Sequence, residues 1–145
     1  MIIPKPKSGD PRIQKILDVK DINYEVDGDG DYKVIFDLGN GRSQVAFINS
    51  NVEEFAGCEI REIWSPGLVG DGELSQRVAN ELLSRNHQYK LGSWSTMKSG
   101  GSIAAVFKVA VDANATPDEL ITCLSVVLRV ADDIEKEFLQ GSDNL

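Results

Sequence analysis

The feature that most constrains the fold is a segment near the C-terminus in which the hydrophobic period changes. Apolar residues first alternate along it with other residues, as in a half-buried strand: Ile103, Ala105, Phe107, Val109 and Val111. A helix start follows, because Pro117 suits the first helical position and Glu119, three residues after Thr116, completes a capping box. The segment therefore predicts a strand, a short loop and a helix that is expected to end near Gln140.

The N-terminal half predicts one short helix followed by strands. Asp10 and Pro11 form a cap and first-turn pair, and the helix that they begin is expected to end near Val19. Period-two patterns then predict three strands, over residues 22–26, 32–38 and 44–48. The glycine-rich joints between these strands favour tight antiparallel hairpins.

The middle of the chain is harder to assign. A short strand is expected from about Cys58 to Trp64, followed by a loop that begins at Ser65-Pro66-Gly67. Apolar spacing between Leu74 and Leu83 then predicts a helix that ends at Asn86-His87. A strand over residues 90–97, a turn at Ser99-Gly100-Gly101 and a strand from Ser102 to Asp112 complete a second hairpin.

These elements predict an α+β fold with the order α-β-β-β-(β)-α-β-β-α and one antiparallel sheet with helices packed on it. At 145 residues and 41% hydrophobic content, the chain can bury a single core. We expect one domain over residues 10–140, with flexible tails at residues 1–9 and 141–145. No linker long enough to separate two domains interrupts the pattern.

Charge and hydropathy exclude several classes of function. The formal net charge of −8 opposes binding to nucleic acid or to anionic lipid. No apolar run approaches the roughly 18 residues that span a bilayer, and the N-terminus has no long apolar secretory segment. A cytoplasmic protein is the simplest expectation. Cys58 and Cys123 lie in apolar contexts without CxxC spacing, so both are interpreted as small core residues.

The order of elements, together with several local features, resembles the bacterial YbjN family. The features are Asn80-Glu81-Leu82-Leu83 before a strand, a Gly-Gly turn, and a final helix that begins at Thr116-Pro117-Asp118-Glu119-Leu120 and contains Ala131-Asp132. The resemblance covers about residues 10–139. It implies a small fold like that of class I type III secretion chaperones, often dimeric, a role in sensory transduction, and no catalytic residues or cofactor.

Candidate chemical sites have simple structural alternatives. Asp27, Asp29 and Asp31 begin like a calcium loop, but Tyr32 stands where that loop needs glycine and Leu38 where it needs glutamate, so a hairpin turn is favoured. His87, the only histidine, is expected to be a solvated residue at a helix end. No metal site and no catalytic group is predicted.

The acidic residues near the end of the last helix leave two interpretations open. Negative charge is unfavourable at a helix C-terminus, so some interaction other than local stability is expected to retain it. The residues form either a solvated face or a docking patch for a basic partner: Asp132, Asp133, Glu135 and Glu137.

The apolar residues that are hardest to place predict an interaction surface. These are Trp64, Leu68, Val69 and Trp94, which lie near a Pro-Gly loop and a hairpin turn and are either partner contacts or caps on the core. The sequence favours a non-enzymatic protein-binding module in bacterial regulation. The alternative is a small-molecule or metal-responsive sensor domain, which would need a closed pocket. A homodimer is expected, because the apolar face of the last helix exceeds what one side of a sheet covers.

Overall fold

The computed structural model describes residues 8–140. It contains three helices and seven strands in chain order: α1 (Pro11–Val19), β1 (Glu25–Val26), β2 (Tyr32–Gly39), β3 (Arg42–Ile48), β4 (Glu53–Phe55), β5 (Cys58–Asp71), α2 (Gln76–Asn86), β6 (Ser93–Ser99), β7 (Ser102–Asp112) and α3 (Pro117–Gln140). The predicted α+β class is confirmed. The expected tails fall mainly on residues 1–7 and 141–145, which lie outside the described residues.

The strands form one antiparallel sheet in the order β1-β2-β3-β5-β7-β6, with β4 paired to the first part of β5. Hairpins join β2 to β3 and β6 to β7, as the glycine-rich turns predict. The two longest strands, β5 and β7, pair from Ile60 opposite Asp112 to Asp71 opposite Ser102 and form the centre of the sheet.

All three helices lie on one face of this sheet, because their buried residues join the same core as alternate residues of the strands. Ile13 and Leu17 of α1, Val78 and Leu82 of α2, and the inner face of α3 contribute to that core. The strand residues of the same core include Val34, Ala46, Ile63, Phe107 and Val109. The described residues thus form two layers, and none of their helices covers the opposite face of the sheet.

The helix starts follow the sequence signals. The side chain of Asp10 accepts a hydrogen bond from the backbone N–H of Arg12, 2.9 Å away, and so caps α1. The hydroxyl of Thr116 accepts one from the N–H of Glu119 at 3.2 Å, which is half of the predicted capping box. Ser75 caps α2 in the same way through the N–H of Val78.

The predicted loop at Ser65-Pro66-Gly67 is wrong, because β5 continues through it to Asp71. A break in register between Pro66 and Leu68 absorbs the irregular residues. Beyond Trp64, β3 no longer pairs with β5 through its backbone. The Gln44 side chain donates instead to the Pro66 carbonyl at 2.7 Å, so this carbonyl points toward β3. An N–H at Pro66 would point the same way, where no backbone pairing exists, and its absence therefore costs no ladder hydrogen bond.

Three other strands differ in extent from the prediction. The first is only Glu25–Val26, and β6 begins at Ser93 rather than near residue 90. β4 lies where the sequence pattern is broken, and its exposed residues Glu53, Glu54 and Phe55 gave no period-two signal.

Candidate binding surface

The candidate chemical groups of the sequence lie in ordinary structural positions among the described residues. Within residues 8–140, no three His, Cys, Asp or Glu side chains are placed to hold a metal ion. His87 is exposed at the C-cap of α2. Asp27 accepts hydrogen bonds from the N–H groups of Asp29 and Asp31, so its carboxylate stabilises the hairpin turn. Cys123 is buried as expected, but Cys58 is exposed, which corrects its interpretation as a core residue.

The four residues of the predicted interaction surface divide between the core and the open face. Leu68 and Trp94 are 1% and 6% exposed, and Trp94 packs edge-to-face on Phe107. Trp64 is partly exposed and Val69 is 57% exposed. The register places both on the side of β5 that faces away from the helices. Only Trp64 and Val69 therefore remain available for contact with a partner.

A stacked aromatic pair marks the middle of the open face. The rings of Phe47 and Trp64 lie 4.4 Å apart between centroids with a 19° angle between their planes. The two residues face each other across the β3–β5 pairing. The indole Nε1 of Trp64 donates to the Asn49 side-chain oxygen at 3.0 Å, so its polar group is satisfied and both ring faces stay apolar.

The open face also carries much of the exposed apolar surface. Ile35, Phe55 and Val69 are 56%, 61% and 57% exposed, and Met97 is 39% exposed. The strand registers put all four on the side opposite the helices. Large apolar side chains gathered on one face commonly mark an interaction site, whereas single exposed ones do not.

Charges on the open face lie around the apolar centre and include both signs. Lys108 forms an ion pair with Glu62 at 2.9 Å, next to Trp64. Lys33 lies opposite Phe47 in the β2–β3 pairing, and Glu53 lies opposite Ile60 in the β4–β5 pairing. Lys33 and Lys108 therefore flank the stacked pair, and charged and apolar side chains are interspersed on this face.

A buried ion pair fixes α1 to the sheet on the other face. The Arg61 side chain is 1% exposed and donates to the Asp10 carboxylate at 2.6 Å and to the Asn49 carbonyl at 2.7 Å. Burial raises the pKa of the Asp10 carboxyl, but hydrogen bonds from Arg12 and Arg61 outweigh it and hold that pKa well below its usual range. Asp10 is therefore charged at neutral pH and serves as both helix cap and counterion.

Three of the acids near the end of α3 have partners on other elements, namely Asp132, Glu135 and Glu137, and Glu135 lies 3.9 Å from the Arg42 guanidinium. Asp132 is 6% exposed and accepts from Arg42 of β3 at 2.5 Å and from Lys136 at 3.2 Å. Glu137 pairs with Arg85 of α2. Burial raises the pKa of Asp132, but the hydrogen bonds from Arg42 and Lys136 give a net lowering. These contacts are the non-local interactions that offset the unfavourable helix-end position.

These features define a class of small two-layer α+β domain, in which helices close one side of an antiparallel sheet and leave the other side open. Within residues 8–140, none of the helices is long and apolar enough to cross a bilayer. The chain belongs to the YbjN family, described as "Putative bacterial sensory transduction regulator", which matches residues 10–140. The family description names a regulatory role and no enzymatic activity. No curated protein matches the chain.

Proposed function

We propose that this chain is a non-enzymatic regulatory module of the bacterial cytoplasm that binds another protein through the open face of its sheet. The observation that carries the proposal is the stacked pair of Phe47 and Trp64, which shares with other exposed apolar residues a face that no helix within residues 8–140 covers. Family membership supports a regulatory role.

The size of the face suits a protein partner. Its five main strands, β2, β3, β5, β7 and β6, are adjacent in the sheet. At about 4.8 Å between strands and about 3.3 Å per residue, five strands of roughly six residues give a plane of roughly 480 Å². Standard interfaces bury about 800 Å² of accessible surface on each partner, and accessible area exceeds the planar value. The face is thus large enough for a modest interface.

We further propose a homodimer that uses a different surface, the outer side of α3. Ile121, Val126 and Val130 are only partly buried against the core. Together with Ser125 and other residues of α3, they line a groove of about 340 Å³. This apolar stripe is the part of the last helix that the sheet leaves uncovered, and symmetric pairing of two such stripes would cover it.

Two variants separate the two surfaces. Val69→Lys places a charge on the open face, and Ser125→Glu places one in the α3 groove. Both positions are exposed, so neither change removes core contacts. Circular dichroism spectra of both variants are expected to match that of the wild type.

Partner capture tests the open face. A protein retained from bacterial lysate by the wild type should be lost with Val69→Lys and kept with Ser125→Glu. Equal capture by Val69→Lys, and by a second open-face variant, Trp64→Ala, would contradict the proposed binding surface.

Sedimentation equilibrium tests the dimer. At about 100 μM the wild type and Val69→Lys are expected to be dimeric and Ser125→Glu monomeric, because an unpaired carboxylate would be buried between the two helices. A wild type that stays monomeric at this concentration would rule out the homodimer and leave the open-face proposal intact.

A further inference from the structure

One edge of the sheet has backbone groups directed away from it. Within residues 8–140, β6 pairs only with β7 and ends the strand order on that side. A free edge strand presents N–H and C=O groups that can pair with another extended chain. The register of β6 shows which of its residues direct their N–H and C=O groups away from the sheet.

The side chain of Asn86 identifies the outward-facing positions. It accepts from the Trp94 N–H at 2.6 Å and donates to the Trp94 carbonyl at 3.1 Å, so both backbone groups of Trp94 point away from β7. In an antiparallel pair this orientation recurs at every second residue, so Thr96 and Lys98 point outward too. The two-residue turn at Gly100-Gly101 gives the same assignment, because the residues that flank such a turn form a hydrogen-bonded pair.

Asn86 therefore occupies the place of a neighbouring strand at Trp94, whereas the next two outward positions are available. In the part of the chain that the structure describes, no side chain or loop donates to or accepts from the outward backbone groups of Thr96 and Lys98.

A groove runs beside this edge, under α2. It has a volume of about 380 Å³ and is lined mainly by apolar side chains: Leu74, Ala79, Leu82, Leu83, Trp94, Ser95 and Thr96. Leu83 is 69% exposed, although it lies next to the buried Leu82. A strand added to β6 would point every second side chain to the side of Thr96, which is the side of the groove.

Charge distinguishes between a foreign segment and a second copy. Lys98 forms no ion pair among the described residues, so its ammonium group is available to pair with a carboxylate of a partner. In a two-fold antiparallel pairing of two β6 edges, the two Lys98 side chains would approach each other on one side of the joined sheet. Both α2 helices would lie on that same side and compete for the groove.

We propose that β6 binds an extended segment of another protein by strand addition, with an apolar side chain in the groove opposite Thr96 and an acidic residue two positions along, opposite Lys98. The proposal rests on the protein-binding function proposed above but uses a different surface. The strand bonds would supply affinity, and the groove and Lys98 would supply selectivity.

The test uses phage-displayed random dodecapeptides selected on the immobilised full chain. Selected peptides are expected to carry apolar residues at alternate positions with an Asp or Glu nearby. Thr96→Pro removes an outward N–H that β7 does not use, so the fold is retained while a synthetic selected peptide binds at least about tenfold more weakly. Thr96→Val keeps the N–H and is the matched control.

A charge exchange tests the role of Lys98. Lys98→Glu should weaken the acidic peptide, and replacing the acid of the peptide by lysine should restore binding to that variant. Amide signals of Thr96 and Lys98 in ¹⁵N spectra should shift on addition of the peptide.

Three results would overturn the proposal. The first is an affinity of Thr96→Pro for the peptide that equals that of the wild type, and the second is the absence of any peptide with a Kd below about 100 μM. The third is conversion of a dimer to a monomer by Thr96→Pro, which would identify a second copy as the occupant. Peptides that lose binding with Val69→Lys instead of Thr96→Pro would support the open face and refute the β6 edge. Peptides insensitive to both variants would refute both surfaces.

Discussion

The Asp10–Arg61 pair gives a quantitative test of how α1 is held to the sheet. Asp10→Asn keeps a side-chain oxygen that caps the helix but removes the counterion of a guanidinium that is 1% exposed. Breaking a buried pair from one side costs about 3–5 kcal/mol. Because Arg61 keeps its bonds to the carbonyls of Asn49 and Ser50, we expect the lower end, about 3 kcal/mol.

For a domain of this size, a loss of about 3 kcal/mol corresponds to a fall in Tm of about 10 °C. Urea unfolding followed by circular dichroism at pH 7 measures the free energy directly. Arg12→Gln is the control, since Arg12 is 37% exposed and its pairs contribute at most about 1 kcal/mol. The double variant Asp10→Asn/Arg61→Met should be more stable than Asp10→Asn alone, because no buried charge remains.

The pH dependence of the same pair has a defined sign. Because the pKa of Asp10 is lower in the folded than in the unfolded chain, its stabilisation is complete above the unfolded value of about 4 and is lost as pH falls toward the folded value. The difference in unfolding free energy between wild type and Asp10→Asn should therefore be largest above about pH 5 and smaller at pH 3. A loss below about 1 kcal/mol at pH 7, with no narrowing in acid, would refute the assigned role.

Two further predictions concern a glycine and the cysteines. Gly92→Ala should lower the unfolding free energy by about 2–4 kcal/mol, because Gly92 has a φ of +89° and a Cβ there would lie 2.5 Å from the Phe107 ring. Gly101→Ala is the control, since a Cβ at Gly101 has open space around it. Equal Tm values for the two variants would contradict this prediction. Burial, and secondarily Glu119, raise the pKa of the Cys123 thiol, whereas Cys58 is exposed. Ellman's reagent should therefore modify Cys58 alone in the native protein and both thiols in urea. Two reactive thiols under native conditions would show that Cys123 is accessible.

The helix boundaries and the second hairpin follow from local signals. The caps at Asp10 and Thr116 and the turn at Gly100-Gly101 act within a few residues, so the sequence contains them. β7 and α3 end where their periods and flanking residues indicate.

β5 could not be recognised from local signals, because its continuity depends on a distant residue. Pro66 and Gly67 are strand breakers, and proline is acceptable there because the backbone pairing with β3 has already ended and the Gln44 side chain bonds the Pro66 carbonyl in its place. Gly67 fits for a similar reason, since a Cβ at this position would lie 2.7 Å from the Trp94 ring. Both requirements come from tertiary packing.

The candidate surface was predictable only in part. The sequence analysis selected Trp64 and Val69, which lie on the open face, and also Leu68 and Trp94, whose burial depends on helices elsewhere in the chain. Phe47 was assigned to a strand without a role. Phe47 precedes the helix-facing Ile48, so the period of two places Phe47 on the open face. Its position opposite Trp64 becomes clear only when β3 and β5 are known to be neighbours.

The short pairing between β3 and β5 makes the sheet mechanically uneven. Two residue pairs and a few further hydrogen bonds join the N-terminal hairpin to β5, among them those of the Gln44 side chain and of the Ser65 hydroxyl. In contrast, β5 and β7 are joined along nearly their whole length. α3 packs across this seam and contacts β3, β5 and β7. α3 thus holds together two parts of the sheet whose backbone connection is short, and loosening this helix would separate them along the line where Phe47 meets Trp64.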